Sequence, residues 1–161
     1  DVEALVEPEA FVSEGARVRG IDGNAKMSKS LNNAVYLRDP PEEIQRKIMS
    51  AYTDPLKAAK SDPGHPEGCI VCEYLGLIDP DNHEQLMADC RAGKMGCVQD
   101  KRKLATMLSD YLQPFRERAR PFEENRKRLR ELLLDGTQMG RKVSNEVLRR
   151  AKDAMKINYF D

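Results

Sequence analysis

Apolar positions recur along most of this chain with the period of about 3.6 residues that defines an amphipathic helix. Five stretches carry the period, at 41–51, 67–78, 82–91, 98–134 and 138–157. A turn-rich segment separates the first stretch from the second. In the first two stretches we expect a core made of Ile44, Ile48, Ala51, Ile70, Val71, Tyr74 and Leu75.

The two longest helical stretches contain residues that interrupt helices. Pro114 and Pro121 each remove a backbone donor, so we expect a kink or a break near them. Gly136 is a typical stop signal and predicts the end of the first long helix. The apolar stripes of the two helices predict burial of Leu104, Leu108, Tyr111, Leu112, Phe115, Phe122, Leu129, Val143, Val147, Leu148, Ala151 and Met155.

The first forty residues lack a helical period. Ala16, Val18 and Ile21 predict one short strand that ends at the turn beginning with Asp22. The polar, lysine-rich stretch 24–33 predicts an exposed loop. The pattern therefore predicts a mostly α chain with a sheet remnant near its start.

Charge and composition say little about the fold, but they bear on the partners of the protein and on its compartment. The 27 basic and 27 acidic residues cancel, yet the end of the chain, 136–161, carries more basic than acidic side chains. Such a face suits a polyanionic partner, although a solvated helix face explains it equally well. No apolar run approaches the roughly 20 residues of a membrane span, and no signal peptide is visible. We expect a soluble, cytoplasmic protein.

The segment with the clearest chemistry is Lys26-Met27-Ser28-Lys29-Ser30. Two lysines three positions apart on a loop can place two ammonium groups around a triphosphate, and the serines add hydroxyl and backbone donors. Cations that tighten on a leaving pyrophosphate in the transition state would lower the barrier to nucleotidyl transfer. Taken without context, a lysine pair on a loop is also an ordinary protein surface.

This segment is identical to the second signature motif of class I aminoacyl-tRNA synthetases. The residues after it, from Leu31-Asn32-Asn33 to the Thr53-Asp54-Pro55 turn, resemble the tryptophanyl branch, and the run from Met95 to Met155 is similar more loosely. In that family the motif follows the last strand of a Rossmann-like catalytic domain and binds ATP while the aminoacyl-adenylate forms.

The resemblance implies a fold, a function and partners. Residues 1–33 would be the C-terminal remnant of a Rossmann-like catalytic domain with its loop, and 34–161 a helical, tRNA anticodon-binding domain. Lys26 and Lys29 would be catalytic, and 26–30 would bind ATP with Mg²⁺. The partners would be tryptophan and its tRNA, in an intact enzyme that is a homodimer. The chain alone should be inactive, because the His-x-Gly-His type motif that the family needs is absent.

Four cysteines, Cys69, Cys72, Cys90 and Cys97, form a second group. Positions i and i+3 share a helix face, so the first two could point at one metal, and the other two could complete a four-sulfur site for zinc or an iron–sulfur cluster. Some tryptophanyl enzymes carry a [4Fe–4S] cluster in this region, and Cys69, Cys90 and Cys97 resemble its first three ligands. Asp100 stands at the fourth ligand position. The alternative is a set of buried free thiols.

Two other functions remain open from the sequence. The chain could be a free-standing helical RNA-binding module whose lysine loop has no catalytic partner. It could also belong to the related branch specific for tyrosine, because the amino-acid pocket lies outside these residues.

Overall fold

The computed structural model describes residues 4–12, 17–24 and 26–159 of the chain. It divides into two compact units, one made of Ser13–Ala119 and the other of Asp1–Val12 with Arg120–Asp161. We call them the central unit and the terminal unit. The helices are α1 (Pro41–Met49), α2 (Ile70–Ile78), α3 (His83–Arg91), α4 (Cys97–Glu124) and α5 (Arg126–Met155), with 3-10 turns at Pro66–Gly68 and Pro80–Asn82.

The core of the central unit forms where the apolar faces of its helices meet. Ile44, Ile48, Ile70, Leu75 and Leu104 are fully buried there. Burial of such side chains is the dominant favourable contribution to folding, at about 1.5–3 kcal/mol each. The sequence-based prediction for the first two helices is confirmed, since all seven predicted core residues are buried.

Helix α1 begins and ends where its sequence favours it. Pro41 occupies the first helical turn, where no amide donor is required, and the acidic Glu42 and Glu43 lie near the positive end of the helix dipole. Arg46 and Lys47 occupy the last turn, near the negative end. The helix therefore presents Ile44 and Ile48 to the core with its terminal charges suitably placed.

Lys47 is buried in α1 with its ammonium group fully surrounded. Its side chain is 4% exposed, and Nζ donates to Asp39 Oδ2 at 2.6 Å and to the Ala34 carbonyl oxygen at 2.9 Å. The ammonium also lies 4.3 Å from the centre of the Tyr36 ring. The Tyr36 backbone N–H donates to the same Asp39 oxygen at 2.8 Å. This network fixes the segment 34–39, which follows the lysine-rich loop, against α1.

The two long helices divide the chain at a different place from the one predicted. Helix α4 continues through Pro114 and Pro121, and the break falls at Asn125. The Asn125 side chain accepts a hydrogen bond from the Arg128 N–H at 2.9 Å and thereby caps α5. Helix α5 then passes through Gly136, so the predicted stop there is wrong. An interior glycine costs a helix only about 1 kcal/mol, which a 30-residue helix can tolerate.

Burial along these helices follows the prediction only in the central unit. Leu104, Leu108 and Leu112 are buried, but Tyr111 and Phe115 are exposed. Helix α5 contains no buried residue. The predicted burial is therefore wrong for the exposed residues Phe122, Leu129, Val143, Leu148 and Met155. An apolar stripe becomes buried only when another element covers it, and the periodicity of one helix does not specify that element.

The predicted strand is absent from the described part of the chain, and Ala16 lies outside it. Val18 and Ile21 instead pair with the loop that follows them. The Met27 N–H donates to the Val18 carbonyl oxygen at 3.3 Å, and the Ile21 N–H donates to the Asn33 carbonyl oxygen at 2.9 Å. Extended backbone becomes a strand only beside a partner strand, and a loop occupies that place here.

Among the described residues, no helix is both long and apolar enough to cross a membrane.

The buried ion pair generates a stability prediction. We expect Asp39→Ala to lower the free energy of unfolding by about 3–5 kcal/mol, because it leaves the buried Lys47 ammonium with only the more distant Glu43 carboxylate, at 3.7 Å. Urea unfolding of the chain followed by circular dichroism measures the change. Glu67→Ala is the matched control: it breaks the exposed Glu67–Arg91 pair and should cost far less stability. Equal losses in the two variants would contradict this account.

Candidate functional site

The lysine-rich segment forms a compact loop at the edge of the central unit. Lys26, Lys29 and Ser30 are exposed, whereas Met27 and Ser28 are half-buried. Met27 packs against the hydrophobic core. It also lines, with Val18 and Tyr74, an apolar cleft of about 180 Å³. The loop is therefore anchored through its methionine, with both ammonium groups in solvent.

The backbone of the loop is held by the side chain of Asn33, which is only 2% exposed. Its Oδ1 accepts from the Ser28 N–H at 2.7 Å. Its Nδ2 donates to the Lys26 carbonyl oxygen at 3.2 Å and to Asp22 Oδ1 at 2.9 Å. One buried carboxamide thus joins both sides of Met27 to the turn that precedes the loop.

Two glycines shape the preceding turn, and Gly20 makes room for this carboxamide. A Cβ atom on Gly20 would lie 2.1 Å from Asn33 Nδ2, so only glycine allows the close approach. Gly23 has a φ of +86°, a conformation that glycine adopts without strain. Desolvation opposes the charge of Asp22, but hydrogen bonds from the Asn24 N–H and from the side chains of Asn33 and Asn24 lower its pKa below the ordinary value.

The remaining part of the loop is closed by a tight turn. The Asn32 N–H donates to the Lys29 carbonyl oxygen at 3.2 Å, with Asn32 in the left-handed region at a φ of 51°. The hydroxyl oxygens of Ser28 and Ser30 lie 2.9 Å apart. In the described part of the chain, neither Lys26 nor Lys29 is paired with a carboxylate. Two unpaired ammonium groups beside two hydroxyls form a surface suited to an anion such as a phosphate.

The sequence identified 26–30 as the chemical segment but missed the residue that organises it. No sequence motif links Asn33 to Gly20, because the two residues lie 13 positions apart and meet only in the folded chain. The available signal was the frequency with which asparagine uses its side chain to cap turns. That signal alone does not identify which backbone groups are capped.

The cysteines occupy a second region of the central unit. Cys69, Cys72 and Cys90 are buried, and Cys97 is half-buried; none forms a disulfide. The thiols of Cys69 and Cys90 both influence the pKa of Cys72, so the structure places these three side chains near one another. The charge of Cys69 also acts on Cys97.

Contacts among the thiols and their burial lower the pKa of Cys69 and raise the pKa of the other three cysteines. The Cys72 thiol and nearby backbone N–H groups stabilise the Cys69 thiolate and lower the pKa of Cys69 to about 6. The same contact, with burial, raises the pKa of Cys72. Burial raises the pKa of Cys90 and Cys97, and also that of the neighbouring Asp100 carboxyl.

The thiols supply soft ligands, but their arrangement is not that of a finished metal site. Within residues 4–12, 17–24 and 26–159, no group of three or more His, Cys, Asp or Glu side chains is placed to hold a metal ion. The donor chemistry therefore fits a thiolate-bound group, and the side-chain positions fit buried free thiols.

Basic side chains collect on one side of α5. Arg141, Lys142 and Arg149 are exposed and Lys152 is half-buried, and helical geometry places the four within about 100° of the circumference. The apolar residues Val143, Val147 and Ala151 lie on the opposite side. Helix α5 therefore presents a basic face, whereas Arg150 lies beside Val143 around the helix.

Comparison with known proteins relates the chain to one family over most of its length. The model of the class I tRNA synthetases for tryptophan and tyrosine (W and Y) matches residues 3–113. Tryptophan–tRNA ligase of Aquifex aeolicus is 37% identical over 153 residues, which are 94% of this chain and 38% of that protein. The same ligase of Lactococcus lactis is 39% identical over 165 residues, covering 98% of this chain and 48% of the relative. The chain thus spans about half the length of these relatives or less.

A solved structure extends the similarity to the fold. Tryptophanyl-tRNA synthetase of Campylobacter jejuni, crystallised with ADP and tryptophan, matches 96% of this chain and 48% of its own, at 28% identity and a TM-score of 0.73. The all-helical character of the described chain agrees with that match.

Proposed function

Because this chain belongs to the class I tRNA synthetases for tryptophan and tyrosine, we propose that it is the C-terminal half of a tryptophan–tRNA ligase. The full-length enzyme would activate tryptophan with ATP to an aminoacyl-adenylate and transfer the aminoacyl group to its tRNA. The observation that carries the proposal is the loop, in which Asn33 holds the backbone and the exposed Lys26 and Lys29 have no carboxylate partner among the described residues. The cytoplasm, as the compartment of translation, is its proposed location.

The loop would act on the phosphates of ATP. As the tryptophan carboxylate attacks the α-phosphate, charge accumulates on the leaving pyrophosphate, and the ammonium groups of Lys26 and Lys29 would stabilise it there. Ser28 and Ser30 would add hydroxyl donors. Ammonium groups have no lone pair for a metal, so Mg²⁺ would be held by the phosphate oxygens, where it supplies further charge neutralisation.

The division of labour within the chain follows the family. We propose that 1–33 completes the Rossmann-like catalytic domain and that 34–161 forms the helical domain that contacts the anticodon. The histidine motif and the amino-acid pocket would be supplied by the remaining half, which would also make the homodimer contacts. The identities to ligases named for tryptophan favour that specificity over tyrosine and over a free-standing RNA-binding module.

Removal of one loop ammonium tests the catalytic assignment. In the full-length enzyme, Lys29→Ala should slow adenylate formation about 100- to 1000-fold, the usual loss for one charge contact made in the transition state. Tryptophan-dependent pyrophosphate exchange measures the rate, and equilibrium dialysis checks that tryptophan still binds. Lys127→Ala, an exposed lysine of α5, is the matched control and should leave the rate unchanged. An unchanged rate in Lys29→Ala would show that the loop has another role.

The basic face of α5 supports a role in tRNA binding. We expect this chain to bind tRNA weakly through the anticodon stem-loop, with Arg102 and Lys103 of α4 as further contacts. Removing one basic side chain that neutralises a phosphate should reduce the slope of log affinity against log salt by about 0.7–0.9. Combined replacement of Arg141, Lys142 and Arg149 by alanine should therefore flatten the salt dependence.

Filter binding over a salt series measures that slope. Replacement of Lys60 and Lys94, two exposed lysines of the central unit, removes charge elsewhere and should leave the slope nearly unchanged. Binding that is insensitive to salt, or equal binding of tRNA without its anticodon loop, would contradict the proposal.

The thiol pocket supports a second proposal, a metal site held by Cys69, Cys72, Cys90 and Cys97. Cys72 interacts with Cys69 and Cys90, and the charge of Cys69 acts on Cys97, so rearrangement of the four thiols on metal binding would complete the site. The bound group would be a [4Fe–4S] cluster, as in some members of the family, or else zinc. It would join the start of α2 to the end of α3 and the start of α4, so that binding would stabilise this region.

Metal content after anaerobic purification tests the site directly. We expect iron and sulfide, or one zinc, with Cys69→Ser and Cys97→Ser losing the metal and melting at a lower temperature. The comparison of Cys72→Ala with Asp100→Ala identifies the fourth ligand: loss of metal only in Cys72→Ala supports the four-cysteine site. Protein without metal, with all four thiols free, would support the buried-thiol interpretation.

A further inference from the structure

The buried Asn33 carboxamide has a consequence for the geometry of the two lysines. It holds the carbonyl of Lys26 and the N–H of Ser28 at once, and these groups flank Met27. The peptide groups on both sides of the methionine are therefore fixed relative to one side chain. The Lys29–Asn32 turn fixes the far side of the loop. Few backbone torsions remain free between Lys26 and Lys29.

The same carboxamide also connects the loop to the rest of the central unit. Its third hydrogen bond reaches Asp22, and its own backbone carbonyl accepts the Ile21 N–H. Ile21 is buried, and its carbonyl oxygen accepts the Tyr52 N–H at 2.7 Å, just beyond α1. Through these hydrogen bonds, Asn33 connects the loop backbone to the helical core.

We propose that Asn33 is a positioning residue that sets the spacing and direction of the phosphate-binding lysines Lys26 and Lys29, with Gly20 as the residue that admits its side chain. The proposal rests on the proposed function of the loop. Asn33 itself does not contact the phosphates, because each polar atom of its carboxamide is already hydrogen-bonded within the protein. Its contribution to the reaction is orientation, and misplacement of a reacting group by about 1 Å can cost about 100-fold in rate.

An isosteric substitution separates orientation from packing. Asn33→Asp keeps the acceptor for the Ser28 N–H but loses the donor to the Lys26 carbonyl oxygen, and it sets a carboxylate beside Asp22. In the full-length enzyme we expect kcat for tryptophan-dependent pyrophosphate exchange to fall about 10- to 100-fold, with the KM for tryptophan unchanged. Asn145→Asp, the same change at an exposed asparagine of α5, is the matched control because it lies outside the loop. Its kcat should stay at the wild-type value.

A partial rescue distinguishes the hydrogen bonds from a general loss of structure. In Asn33→Asp combined with Asp22→Asn, the new amide at position 22 can donate to the new carboxylate, which restores one of the hydrogen bonds and removes the like-charge pair. We expect the double variant to recover part of kcat. Asp22→Asn alone should lower kcat less than Asn33→Asp does.

Hydrogen exchange on this chain provides a readout that does not depend on catalysis. The Ser28 amide should exchange slowly in the wild type and rapidly in Asn33→Ala, while the amides of Leu75 and its neighbours in α2 keep their protection. Slow kcat together with this local loss of protection would support the positioning role. Loss of protection in α2 as well, or wild-type kcat in Asn33→Asp, would overturn it.

Different results would contradict the proposed function and the positioning role of Asn33. If the wild-type enzyme exchanges pyrophosphate with neither tryptophan nor tyrosine, the proposed function is wrong, and the role of Asn33 in catalysis falls with it even if the Ser28 amide is protected. If the wild type is active and the Asn33→Asp variant equals it, only the positioning role is wrong.

Discussion

The loop of this chain depends on the burial of one uncharged amide whose hydrogen bonds are all made. A buried polar group without a partner costs about 1–3 kcal/mol, so the Asn33 carboxamide is stable in its position only while Lys26, Ser28 and Asp22 keep theirs. The next residue, Ala34, gives its carbonyl oxygen to the buried Lys47 ammonium. Asn33 is therefore held by hydrogen bonds to the loop, and its neighbour Ala34 is held by a hydrogen bond from α1.

This arrangement separates the rigid part of the site from the charged part. The backbone around Met27 is held by the protein, whereas the ammonium groups of Lys26 and Lys29 stay in solvent at the ends of flexible side chains. Such lysines can strengthen their contacts as charge develops on a leaving group, which is the condition for lowering a barrier. A loop held through its side chains alone would need to be ordered by the nucleotide at a cost in conformational entropy.

The elements that the sequence predicted are those governed by local rules or by a short repeat. The boundaries of α1, α2 and α3 were predicted to within three residues, because proline at a helix start and a regular apolar face act within one turn. The loop at 26–30 was predicted because its lysines and serines are contiguous in sequence. The end of α4 and the start of α5 were both predicted too late in the chain. Asn125 caps α5 through its side chain, and this local contact determined the break more strongly than Pro121 or Gly136 did.

The features that escaped prediction depend on contacts between distant positions. The amide of Asn33 fits against Gly20, and the thiol of Cys90 lies against Gly64, where a Cβ would approach Sγ to 2.6 Å. In neither pair does the spacing in sequence indicate that the residues meet. The same holds for α5, whose apolar periodicity is real although none of its residues is buried within the described chain.

Exchange of pyrophosphate into ATP by the full-length protein, measured in parallel with tryptophan, with tyrosine and without an amino acid, tests most directly whether this loop serves tryptophan activation. We expect exchange with tryptophan only, and none from the 161-residue chain alone. Exchange supported by tyrosine in place of tryptophan, or exchange by the isolated chain, would contradict this assignment.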